Sequence, residues 1–168
     1  LDTLCMVKSL SRDSDVEIAT PNYRRQALLA PNDPFYATQW HYPQLNLPQA
    51  WDLTTGSDVI VAVVDTGVVL SHPDLQGQLV AGYDFISNIA NALDGDGIDP
   101  DPTDVGDRSN PDGSSSFHGT HVTGTVAAAT NNNLGVAGVA FGAKVMPLRA
   151  IGRFGGDLYD IEQAVRYA

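Results

Sequence analysis

The sequence predicts an α/β protein built on a parallel sheet, and three stretches carry that prediction. Val59 to Val64 is an unbroken run of Val, Ile and Ala, the composition of a strand buried on both faces. Gly119 to Ala129 is rich in Ala, Val, Thr and Gly, as expected of a helix packed closely inside a protein. Lys144 to Arg149 reads as a further strand, and Leu158, Ile161, Ala164, Val165 and Ala168 then fall at helical spacing. Strand, helix, strand, helix implies a parallel sheet flanked by helices.

Taken in order, residues 1 to 29 differ in character from the rest. They hold Lys8, Arg12, Arg24 and Arg25 and a strand-like run from Asp15 to Thr20, closed by a turn at Pro21-Asn22. Ala30 to Pro34, rich in Pro and Asn, reads as a boundary. Leu47 to Leu53 reads as a short helix opened by Pro48 and stopped before Thr54-Thr55-Gly56. Leu79 to Tyr83 is a second strand candidate. Pro147 counts against a strand at 144–149, because Pro removes a ladder donor. Asp157 is placed to N-cap the last helix. A sheet of two or three strands with a final helix that has no stop signal reads as part of a domain.

With 168 residues, 43% of them hydrophobic, the chain can bury one core. A net charge of −11 argues against nucleic acid, and no apolar stretch is long enough to cross a bilayer. Cys5 is the single cysteine, so there is no intrachain disulfide. That fits a reduced compartment, or a secreted protein stabilised by metal. The opening residues show no signal-peptide pattern, and since they lack Met an upstream leader stays open.

Two motifs carry chemistry. Val61-Ala62-Val63-Val64-Asp65-Thr66-Gly67-Val68 delivers an acid into a Gly turn at the C-terminal end of a strand, where sites form in open α/β sheets. Phe117-His118-Gly119-Thr120-His121-Val122-Thr123-Gly124-Thr125 places a His at a helix start, within reach of a carboxylate on one side and a nucleophile on the other. Zinc chemistry of the His-Glu-x-x-His type is not indicated: His118 and His121 are three apart and have no Glu between them. His121 reads instead as a packed helix residue.

Together, and in the order Asp then His, these motifs resemble those of the subtilisin-like serine proteases. Ser71-His72-Pro73-Asp74-Leu75, the stretch from Asn131 to Ala140, Ile151 to Gly156, and Asp33 to Tyr36 with Gln39-Trp40 are similar to further segments of that family. The resemblance implies an incomplete subtilisin-like parallel sheet. Residues 1–29 would be the end of an inhibitory propeptide, with the maturation cut near Leu29 or Ala30. Residues 30–168 would be the N-terminal half of a secreted catalytic domain. It implies that Asp65 orients His118, and that His118 serves as general base and then general acid. Arg153, Phe154, Gly155 and Gly156 would pair with an extended peptide substrate.

The resemblance also implies structural calcium, held by Asp33, Asp74 and Asn132 side chains and by carbonyls near Thr130, Leu134 and Val136. A second calcium site is read in the acidic stretch, with Asp94, Asp96, Asp99, Asp101, Asp104 and Asp107 as candidate ligands on a bendable Gly-containing backbone. The alternative there is a solvated acidic loop.

The chain departs from the family pattern at the nucleophile, and the family's oxyanion Asn is not among its motifs either. It contains no Ser in the Gly-Thr-Ser context of the nucleophile, and Ser114, Ser115 and Ser116 are loop residues. The expectation is a fragment of a calcium-stabilised serine endopeptidase, inert by itself, acting in the intact protein on protein or peptide substrates and inhibited by its own propeptide. Two alternatives differ in class: a non-catalytic subtilase-like module that binds peptides or a partner chain, and an acidic calcium-binding surface protein.

Overall fold

The computed structural model describes residues 2–21, 30–108, 110 and 112–168. Helix α1 (Thr3–Leu10) is started by the Asp2 carboxylate, which accepts from the Leu4 N–H, and it buries none of its residues. The run 15–20 is not a strand. Asp15 and Val16 spend their N–H groups locally on Asp13, and among the described residues no strand pairs with the run. Of the turn read at Pro21-Asn22, Asn22 lies outside the described residues, as do Arg24, Arg25 and Leu29.

Residues 36 to 51 form a 3₁₀ turn (Tyr36–Thr38), α2 (His41–Gln44) and α3 (Leu47–Trp51), the last with Pro48 in its first turn as the sequence predicts. They close an aromatic cluster in which Tyr42, Trp51 and Ala137 are buried against Tyr36, Leu47, Val139 and Phe141. Polar atoms fix its register. The Tyr42 hydroxyl donates to the Ala137 carbonyl (2.6 Å) and the Trp51 indole N–H to that of Val139 (2.8 Å). Gln39 grips Ala137 from both sides of its peptide.

The sheet has three parallel strands in the order β1 (Ile60–Asp65), β3 (Lys144–Arg149), β2 (Tyr83–Asp84). β2 starts later than the predicted 79–83 strand, and residue 79 contributes only an isolated rung with Val145. Pro147 sits in the central strand despite its missing N–H, and parity explains how. Lys144 and Ala150 donate toward β1, to Val59 and Asp65, whereas Val145 donates the other way, to Gln78. Odd positions of β3 therefore face the β2 side. The donor that Pro147 lacks falls in the gap between the residue-79 rung and β2, where Gly82 passes so close that a Cβ would lie 2.0 Å from the Pro147 carbonyl oxygen.

Alternating residues of β1 serve two cores, as a pleated strand requires. Val61 and Val63 pack with Val145, Val122, Val126 and Ala127 under α5 (His118–Ala127). Ala62 and Val64 pack with Leu148, Phe85, Ile161 and Ala164 under α6 (Leu158–Tyr167). This is the predicted α/β layering, with one helix on each face. On α6, Ile161 and Ala164 face inward as read, while Leu158 and Val165 stay exposed. Asp157 occupies the N-cap position without a side-chain capping bond. The short α4 (Ile89–Ala92) is capped by Asn88.

Candidate active site

β1 delivers Asp65 to the carboxyl edge of the sheet, and three contacts hold it there. Its carbonyl accepts from Ala150 and Ile151, so the end of β3 is tied to it. Its carboxylate accepts from the Thr66 N–H (2.7 Å). Gly67 then turns the chain at φ 91°, a conformation that favours glycine. From the other side α5 begins at His118, after Phe117 in the left-handed region. The two elements meet almost backbone to backbone: a Cβ on Gly119 would lie 2.2 Å from the Gly67 carbonyl oxygen. The Val69 N–H donates to the Thr120 hydroxyl and adds a second tie (2.9 Å).

The result is an ion-pair geometry between the two predicted residues. His118 Nδ1 lies 2.9 Å from both carboxylate oxygens of Asp65. The Asp65 side chain is 11% exposed and that of His118 62% exposed. A carboxylate at Nδ1 places the ring proton there, so Nε2 faces outward as an acceptor. None of Ser114, Ser115 or Ser116 reaches the imidazole. Their hydroxyls bond to Asp112, to the Arg108 N–H and to Asp107 respectively. His121 is exposed rather than packed, and it lines a cavity of about 610 Å³ along α5 with His41, Val69, Leu75, Phe117 and Val136. Asp65 and His118 do not line that cavity.

Residues 152–155 form a tight turn closed by reciprocal Gly152–Gly155 hydrogen bonds (3.1 Å each). Asn91, which sequence reasoning missed, holds it. Its carbonyl accepts from Arg153, its side-chain oxygen from Phe154 (2.6 Å), and its amide donates to Gly155. The N–H groups of Arg153, Phe154 and Gly155 are thus committed internally. The Phe154 ring is exposed, with the Arg153 guanidinium 5.4 Å from its centre.

Four of the first cation candidates come together. Asp33 and Asp74 are buried, and neither has a basic partner among the described residues. Both converge on Asn132: its N–H faces Asp33 (3.4 Å) and its amide donates to Asp74 (2.8 Å). The Val136 N–H also donates to Asp74 (2.9 Å). Gly135 is required, since a Cβ there would lie 2.0 Å from an Asp74 oxygen. Thr130 turns its hydroxyl to the Gly138 N–H, and Leu134 donates its N–H to the Asn132 side chain. Two buried carboxylates without a basic partner among the described residues, joined through Asn132, supply hard oxygen donors of the kind calcium takes.

The acidic stretch is dispersed. Asp94 pairs with the buried Arg149, which also holds Asp84 and the Ala92 carbonyl. Asp104 turns inward to Thr66, and Asp107 binds Ser116. Asp94, Asp99 and Asp101 remain near Asp96, whose N–H donates to the Asp94 carboxylate (3.3 Å), and the charge of Asp99, first among the causes, raises the Asp96 carboxyl. Among the described residues no three His, Cys, Asp or Glu side chains form a metal-holding group.

A carboxylate-oriented His at the carboxyl edge of a parallel α/β sheet is the arrangement that the base half of a nucleophilic hydrolase requires. Comparison makes the class specific. The subtilase family model matches residues 56–168. The chain is 45% identical to an extracellular protease of Xanthomonas campestris over 97% of its own length and 30% of that protein's. It is 42% identical to an extracellular basic protease of Dichelobacter nodosus, with the same coverage. A solved protease structure from Pseudoalteromonas arctica matches 82% of this chain and 43% of that one, with 51% identity and a TM-score of 0.75. The chain belongs to the subtilase family, and it spans about a third of the length of these curated relatives.

Proposed function

We propose that the intact protein is a secreted, calcium-stabilised serine endopeptidase and that these residues supply the acid–base half of its triad. The observation that carries the reading is the placement of His118 Nδ1 on both oxygens of Asp65 with the rest of the ring open to solvent. A Ser outside residues 1–168 attacks the peptide carbonyl. His118 Nε2 takes the hydroxyl proton, and Asp65 stabilises the imidazolium. The imidazolium returns the proton to the leaving amine, giving an acyl-enzyme. His118 then activates water for its hydrolysis. None of the loop serines 114–116 is placed on His118, so residues 1–168 by themselves should not form an acyl-enzyme. Extracellular location follows two of the relatives, an extracellular protease and an extracellular basic protease.

Calcium would be held by the Asp33 and Asp74 carboxylates, the Asn132 side chain and carbonyls of the 130–136 loop, where it would neutralise two buried charges. Residues 1–29 act as the tail of an inhibitory propeptide, released near Leu29 or Ala30. The exposed Phe154 and Gly156 contact extended substrate, with Arg153 and Gly155 shaping that turn.

The test is hydrolysis of an unfolded protein by the intact gene product. Activity abolished by a serine-directed sulfonyl fluoride and by His118→Ala supports the reading. Hydrolysis that survives both contradicts it.

A further inference from the structure

We propose that Asp104 is a positioning residue for the Asp65–His118 pair and that it acts through the Thr66 hydroxyl. The inference rests on the protease reading above and removes Asp104 from the candidate calcium ligands. Asp104 and Thr66 are both buried. The Thr66 hydroxyl donates to Asp104 Oδ2 (2.7 Å) and accepts from the Gly119 N–H (2.9 Å). A carboxylate only accepts, so Asp104 fixes which way this hydroxyl points and leaves its lone pairs for Gly119.

That bond has a particular use. The first N–H groups of a helix have no partner within it, and Phe117, at the N-cap of α5, supplies no side-chain bond. Thr66 caps α5 from another element, at the peptide that follows His118. The same residue gives its backbone N–H to Asp65 Oδ1 (2.7 Å). One residue therefore locates both members of the pair. Asp104 is itself anchored by the Gly106 N–H on Oδ1 (2.9 Å) and by a Val68–Thr103 rung, with Val68 N–H on Pro102 and Asp104 N–H on Val68.

The experiment uses the intact protein with Asp104→Asn, Thr66→Val, Thr66→Ser and the Asp104→Asn/Thr66→Val double variant. Asp104→Asn and Thr66→Val should each lower kcat about tenfold to a hundredfold with KM within about twofold, the pattern of misplacement rather than lost binding. Thr66→Ser, which restores the hydroxyl, should recover most of the loss relative to Thr66→Val. The double variant should lose no more than the worse single, because the two residues act in series. The low-field proton NMR resonance of His118 Nδ1–H should move in both single variants. Should Asp104→Asn fail to fold, the two Thr66 variants decide the matter alone. Near-normal kcat in the folded variants, or losses that multiply in the double variant, would overturn the proposal. A wild-type protein without hydrolytic activity would sink the protease reading. The Nδ1–H resonance would still decide this one, and an unmoved resonance would overturn it.

Discussion

Gly119 shows how much of the site depends on a missing side chain. Its Cα passes the Gly67 carbonyl at a distance that leaves no room for a methyl group. Gly119→Ala should cost about 1–3 kcal/mol as the helix start is pushed off the turn, and it should lower kcat as well. Thermal melts and kinetics of the intact protein check both. Asp65→Asn should instead preserve the fold and lower kcat by about 10⁴-fold, the magnitude known for removal of the orienting acid in the chymotrypsin triad. Kinetics with a peptide substrate would show it, and a loss below tenfold would be incompatible with the assigned role. Asp65 and His118 were legible because each stands in a motif whose neighbours are fixed by close backbone approach. Asp104 was not. In the sequence it is one of several acids in an acidic stretch, and nothing in that pattern says which carboxylate turns inward.

At the scale of elements, the parallel strands and the two flanking helices were legible from run length and periodicity. Boundaries were less so. β2 starts at Tyr83 rather than Leu79 because Pro147 breaks the ladder between them. Asp15 to Thr20 alternates like a strand but pairs with no strand among the described residues, and pairing is a tertiary property. Pro147→Ala should cost about 0.5–1 kcal/mol through added freedom of the unfolded chain, and the new N–H should gain no ladder bond. A denaturant titration tests this, and a stabilised variant would contradict it. Where β2, β3 and α4 meet, Arg149 serves two acids with opposite outcomes. Burial, the largest influence, pushes the Asp84 carboxyl up to about 6 despite Arg149. At Asp94 burial also raises the carboxyl, but the hydrogen bond and charge of Arg149 outweigh it and the net shift is downward. A raised acid favours folding most below its unfolded value near 3.8, and that contribution is lost as pH rises through about 6. The side-chain carboxyl carbon of Asp84 should titrate by NMR near 6, and a midpoint near 3.8 would refute it.

For the molecule as a whole, two features point beyond these residues. Leu158, Tyr159 and Val165 leave an apolar face of α6 uncovered, and the relatives are about three times longer. Asp33 and Asp74 are buried without a basic partner among the described residues. Chelation should therefore lower the melting temperature of the intact protein, and Asp74→Asn should shrink that response. An unchanged midpoint on chelation would remove calcium from the account. The buried pair Asp33 and Asp74 was singled out only through the family resemblance, since composition alone does not separate it from the more acidic stretch at 94–107, which the fold disperses. On the proposed reading, His118 activates a Ser supplied from outside residues 1–168. Fluorophosphonate labelling of the intact protein, with the modified peptide sequenced, tests it most directly. A single labelled Ser outside residues 1–168, with labelling lost in His118→Ala, is the predicted result. Folded protein that takes no label, or labelling indifferent to His118→Ala, would contradict it.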